Sequence, residues 1–192
     1  LDVSLDDWAD WAYRNEIDSR IVAFLRFKPE LLFNFDPLKN AAGEMAFPSP
    51  RSWEFAHRAV QKFGEQTDLL RGSLIACVGQ VAGIECAAFI DSLDRLPDLD
   101  AICTGQCVDV PTEIDLQYAV AAALASRART LNNKPDAKVV WGNILKYAQS
   151  FPQREMGVML VSDIHRGIGK DLFTVPQFAN WANTVSELMF YE

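Results

Sequence analysis

The spacing of apolar residues constrains this chain most. They recur every three or four positions almost from end to end, the period of an α-helix that buries one side. Leu5, Trp8, Ala9, Ala12 and Tyr13 fit that period, with Ser4 as N-cap and Asp6 and Asp7 in the first turn, where the helix dipole favours acids. A second helix follows Asp18, with Ile21, Phe24 and Leu25 on one face, and Pro29 opens a short turn over Glu30 to Phe33. Asn34 to Pro48 has no period and reads as a long loop. Ser49-Pro50 starts a helix to about Phe63, striped by Trp53, Ala56, Val60 and Phe63, with Gly64 placed to stop it.

Further helices are expected over Asp68 to Val81 and Ile84 to Leu96, where Gly79 and Gly83 mark either a break or a close helix contact. Pro97 to Pro111 reads as irregular, with a helical turn near Leu99 to Cys103. An Ala-rich helix then carries Leu116, Val120, Ala123, Leu124 and Leu131 on one side, up to the turn Asn132-Asn-Lys-Pro135. Asp136 to Ser150, Pro152 to Gly167 and Thr174 to Phe190 complete the set. Val158-Met-Leu-Val161 is apolar but lies inside a helical pattern, and no Asn-Gly or Asp-Gly pair supplies a hairpin. The expected fold is all-α, a multi-helix bundle of about eight to ten helices.

The chain has 192 residues, enough for one large helical domain or two small ones. Its formal net charge is −8, which repels nucleic-acid backbones, so no direct nucleic-acid partner is expected; a local basic spot can still hold a single phosphate group. No run approaches the roughly 20 apolar residues that span a bilayer, so no membrane partner is expected either. The N-terminus is acidic and lacks both the basic start of a signal peptide and an initiator Met, which suggests an excised, processed or incomplete chain and leaves room for an upstream segment.

Cys77 and Cys86 lie in apolar surroundings and read as core thiols. Cys103 and Cys107 have neither His57 nor His165 near them in sequence, so no metal site is expected. A reducing, cytoplasmic compartment fits this cysteine pattern best.

Motifs for chemistry are missing. There is no phosphate loop ending in Lys-Ser/Thr, no nucleophile elbow and no His-Glu-x-x-His. His57 reads as a half-buried helix residue, His165 as a helix-end cation, and Asp6, Asp7 and Asp10 as a solvated face. One residue breaks a local rule. Arg51 follows Ser49 and Pro50 in the first turn of a helix, where a cation meets the positive end of the dipole at a cost of about 0.3–1 kcal/mol. Two readings follow: an anion bound by the guanidinium together with open backbone N–H groups, or an ion pair with an acid on a neighbouring helix.

Ser49-Pro50-Arg51 opening a helix after a helical pair and a Pro-rich loop resembles the sensor-2 element of AAA+ ATPases, most closely the MoxR-type branch. The run Ile21-Val-Ala-Phe-Leu-Arg-Phe-Lys-Pro-Glu-Leu-Leu32, followed by Phe47-Pro-Ser-Pro-Arg-Ser-Trp-Glu54, is similar to the region after the ATPase core in that branch. The resemblance covers about Ser4 to Phe63. It implies a lid-like helical subdomain over 1–66, packed on a C-terminal helical extension over 67–192 that matches no motif. It implies that Arg51 reaches the γ-phosphate of ATP held by the core of its own or a neighbouring subunit, with Trp53 a packing residue. ATP and Mg²⁺ would be held by that core, and this region alone would bind neither. The implied partners are the protein's own AAA+ core, neighbouring subunits and a client protein. The alternative is a free-standing acidic adaptor or scaffold, for which Trp8, Trp11, Trp141 and Trp181 would offer surface aromatics.

Overall fold

The computed structural model describes residues 4–38 and 46–189, with no side-chain description over 186–189. Among the described residues there are helices and turns and no strands. The chain divides into two compact units, Leu1–Arg95 and Leu96–Glu192.

The first unit holds α1 (Leu5–Arg14), α2 (Ser19–Phe27), a 3₁₀ turn (Pro29–Leu31), α3 (Pro50–Phe63), α4 (Thr67–Val78), α5 (Gln80–Ser92) and a second 3₁₀ turn (Leu93–Arg95). Local chemistry explains where the first two begin. Ser4 Oγ accepts from the Asp7 N–H at 3.3 Å, and Asp18 accepts from the Arg20 N–H at 3.0 Å. Each helix then buries its apolar face: Trp8, Ala9, Ala12 and Tyr13 of α1, and Ile21, Phe24 and Leu25 of α2. The Phe24 ring lies 5.6 Å from Trp53 and 5.7 Å from Phe89, which ties α2 to both α3 and α5.

Gly79 and Gly83 do both of the things expected of them. Gly79, at φ +84°, breaks the chain between α4 and α5, a conformation that costs other residues more. Gly83 is the close contact: a Cβ there would stand 2.5 Å from the Ile75 N and 2.6 Å from its Cα. Gly64 ends α3 without a left-handed turn, at φ −55°, and the Arg20 guanidinium lies 3.0 Å from where its Cβ would be. The division expected near Gly64–Asp68 falls between α3 and α4, which pack on each other within this unit. Of the expected loop from Asn34 to Pro48, Pro37 and Leu38 have helical backbone and residues 39–45 lie outside the description.

The second unit holds α6 (Leu99–Cys103), α7 (Ile114–Thr130), α8 (Ala137–Ala148), α9 (Arg154–Ile168), a 3₁₀ stretch (Gly169–Thr174) and α10 (Pro176–Met189). Its core gathers Val120, Leu124, Trp141, Ile144, Leu145, Leu160 and Ile164 around the small residues of α7, whose alanines let α9 approach closely. Trp141 donates its indole N–H to the Ala128 carbonyl at 2.9 Å, and Asn143 donates to the Cys103 carbonyl at 2.9 Å. Val158 to Val161 lie in α9, as their helical period requires. The expectation of surface tryptophans is corrected here and in the first unit. Trp8 and Trp141 are buried and Trp181 is half-buried against the core; Trp11 is exposed.

Candidate functional site

The start of α3 is built by its own sequence. Ser49 is extended, at φ −156° and ψ 159°, and its Oγ accepts from the Ser52 N–H at 3.1 Å. The Ser52 Oγ accepts from the Ser49 N–H at 2.8 Å, closing a reciprocal capping box. Trp53 N–H reaches the Ser49 carbonyl at 3.0 Å, and Pro50, at the first helical position, has no N–H to satisfy. Of the donors that normally stand open at a helix start, the Arg51 N–H alone has no acceptor among the described residues. The set of open N–H groups expected here is thus reduced to one by the cap.

Two aromatic anchors hold this start in place. Trp53 is fully buried and donates its indole N–H to the Leu31 carbonyl at 2.9 Å. The Phe47 ring packs on Phe35 at 4.9 Å and on Phe33 at 6.5 Å. Arg51 itself is exposed. Among the described residues it has no carboxylate partner, and its guanidinium carbon lies 5.9 Å from the centre of the Phe55 ring. Neither of the two readings of Arg51 foresaw this cation–π support. Arg58 lies on the same ring at 5.8 Å while pairing with Glu54 at 2.7 Å.

Arg51, Ser49, Ser52 and Phe55 border a shallow depression of about 290 Å³, whose far wall is Ala76 and Cys77 of α4. Cys77, expected in the core, is only half-buried at this edge; Cys86 is fully buried. A larger cavity of about 420 Å³ adjoins across Ala46 and Phe47, lined by Leu31, Phe35, Val78, Val81 and Ile84 with Asn34, Asp36 and Gln80. Among the described residues that line it there is no cationic side chain and one carboxylate, Asp36, a poor match for a phosphate.

The other candidates from the sequence are structural. His57 is buried, and its Nδ1 accepts the Asp18 N–H at 3.0 Å, fastening α3 to the cap of α2. His165 stacks on Phe173 at 4.9 Å. Asp6 pairs with Arg26 at 2.7 Å. Among the described residues no group of three or more His, Cys, Asp or Glu is placed to hold a metal ion, and no helix is long and apolar enough to cross a membrane.

The arrangement can offer one anion a guanidinium, a single N–H and the positive end of a 14-residue helix. Among the described residues that border the depression, Ser49 and Ser52 are engaged in the capping box and the Cys77 thiol has no base beside it. Comparison with known proteins finds no matching family model, no matching curated protein and no matching solved structure.

Proposed function

We propose that this chain is the C-terminal, non-catalytic region of a MoxR-like AAA+ ATPase, in which Arg51 senses the γ-phosphate of ATP and couples it to remodelling of partner proteins. The observation that carries this reading is the state of Arg51. It is a cation in the first turn of a helix, exposed, without a carboxylate partner among the described residues, and propped by Phe55. A cation placed against the local dipole is stabilised by an anion, and a phosphoryl group supplies one through charge-assisted contacts. ATP and Mg²⁺ would sit on the AAA+ core, with that core and its neighbouring subunits as the partners of the Arg51 face.

The test uses the protein with its ATPase core. Arg51→Ala should lower ATP turnover by about tenfold or more, the scale for removing one preorganised contact to a reacting group. Because Arg51 is exposed and its contact with Phe55 is a surface one, helical content and melting temperature should be little changed. Unchanged turnover in a folded variant would overturn the assignment, as would a coding sequence with no phosphate loop ahead of these residues.

A second reading, an acidic adaptor without nucleotide chemistry, is favoured by one observation. Phe35 and Val81, on the rim of the larger cavity, are 42% and 56% exposed, and Phe33 beside them is 52% exposed. Capture of a partner that ignores ATP and survives Arg51→Ala would support that reading over the first.

A further inference from the structure

The outer face of α3 has a pattern that neither folding nor phosphate sensing requires. The helix buries Trp53, Ala56, His57 and Val60. At 3.6 residues per turn, Arg51, Phe55, Arg58 and Lys62 fall within about 60° of one another on the opposite side, over a length of about 16 Å. All four are exposed, and Phe55 is 43% exposed. Arg51 and Arg58 flank the Phe55 ring at 5.9 and 5.8 Å, and Lys62 Nζ lies 5.2 Å over Phe63. This is a cationic stripe with an aromatic at its centre, on a chain of net charge −8. Glu54 pairs with Arg58 at its edge, but an exposed pair of this kind is easily exchanged.

We propose that this face docks an acidic amphipathic segment of a partner protein. Its carboxylates would meet Arg51, Arg58 and Lys62, and an apolar side chain would rest on Phe55 and enter the depression bounded by Ala76 and Cys77. Charge complementarity selects this occupant. A nucleic acid meets three cations here but a chain acidic overall, and pays for that over its whole length. A lipid surface needs a broad apolar face, whereas this stripe exposes a single ring. Two copies of the chain repel each other through their net charge. An aromatic flanked by arginines is the composition that concentrates binding energy at protein interfaces. Arg51 and Phe55 are shared with the nucleotide reading, but Arg58 and Lys62 have no part in it, and the inference stands on the whole stripe without any nucleotide.

The test is fluorescence anisotropy on the 192-residue chain with a labelled helical peptide of about 16 residues, matched in length to the stripe. The peptide carries glutamates at the stripe's spacing and leucines between them; one control replaces glutamate by glutamine, and another replaces leucine by serine. Saturable binding roughly tenfold tighter than either control is expected, weakening with added salt. Phe55→Ala, and separately Arg58→Glu with Lys62→Glu, should each weaken it by roughly tenfold with helical content intact. Equal affinity for the controls, or binding unmoved in both variants, would overturn the proposal. Displacement of the peptide by an oligonucleotide at equal concentration would assign the face to nucleic acid and overturn it. Dimerisation in sedimentation that is abolished by Arg58→Glu with Lys62→Glu would assign it to a second copy, with the same consequence. Because no ATP is present, failure here leaves the Arg51 turnover test standing, and the converse also holds.

Discussion

The indole N–H of Trp53 donates to the main-chain carbonyl of Leu31 at 2.9 Å, inside a pocket with no solvent access to the Trp53 side chain. This bond joins Trp53, the first residue of α3's apolar stripe, to the turn that follows α2, and so helps to fix where the Ser49–Arg51 start sits. Trp53→Phe should keep most of the apolar burial but strand a buried acceptor, lowering stability by about 1–3 kcal/mol. Trp53→Ala should cost about 3–5 kcal/mol through the cavity it opens. Urea midpoints at constant slope measure both. A Trp53→Phe variant as stable as the parent would show that the bond is not a stabilising contact.

Two glycines of neighbouring helices should respond to alanine with opposite signs. A Cβ at Gly83 would meet the Ile75 backbone at 2.5 Å, so α4 and α5 must separate to admit it. Gly83→Ala should destabilise by about 1–3 kcal/mol. A Cβ at Gly72, inside α4, would meet nothing within 4 Å, and alanine there should stabilise by about 1 kcal/mol through helix propensity. Thermal melting of the two variants decides the matter; shifts in the same direction would contradict the close crossing.

What the sequence revealed tracks what is local. Ser4, Asp18 and Ser49 cap the helices they precede through bonds that span two or three residues, and those starts were legible from residue type alone. The all-helical fold was legible because the apolar period is local too. The placement of the compact units was not. α3 and α4 pack as neighbours, and that contact joins faces whose partner a one-dimensional period cannot name. Arg51 stood out because it violates an electrostatic rule within its own turn, but its support by Phe55 did not. The signal was present: Phe55 lies off the Trp53–Ala56–Val60 stripe, and an aromatic on the polar side of a helix needs a reason of its own. Cys77 was misplaced for the opposite cause, since apolar neighbours in sequence do not show which side of α4 faces the depression.

The four cysteines should separate by reactivity. Burial pushes the Cys86 thiol far up, with the Asp18 charge adding to it and Arg20 opposing. Burial also raises Cys77 and Cys103, whereas Cys107 is exposed. An aromatic disulfide reagent at about pH 8 should therefore modify Cys107 first, and Cys86 only on unfolding, because the thiolate is the attacking species. Peptide mapping after a short exposure gives the order. Early labelling of Cys86 in the folded chain would mean that its surroundings open far more readily than the packing of α5 implies.

Asp18 ties acid stability to the geometry beneath α3. Burial alone would raise its carboxyl, but the Arg20 side-chain hydrogen bonds at 2.8 and 2.9 Å, the Arg20 charge and the Arg20 backbone N–H outweigh that, and the pKa is held below its ordinary value. The unfolded chain, with an Asp pKa of about 3.9, takes up this proton first as the pH falls. More protons bound by the unfolded state means that stability rises with pH. The contribution is therefore complete above about pH 4 and disappears as the pH drops through the lower folded value. Asp18→Asn can still accept from the Arg20 N–H but cannot pair with the guanidinium. The stability gap between parent and variant should be constant between about pH 7 and 5 and should shrink as the pH falls below about 4, the unfolded value. Other carboxylates contribute to both proteins and cancel in the difference. Urea midpoints at four pH values across that range measure the gap, and a gap that stays constant down to the lowest would show that the pair with Arg20 does not stabilise the ionised form.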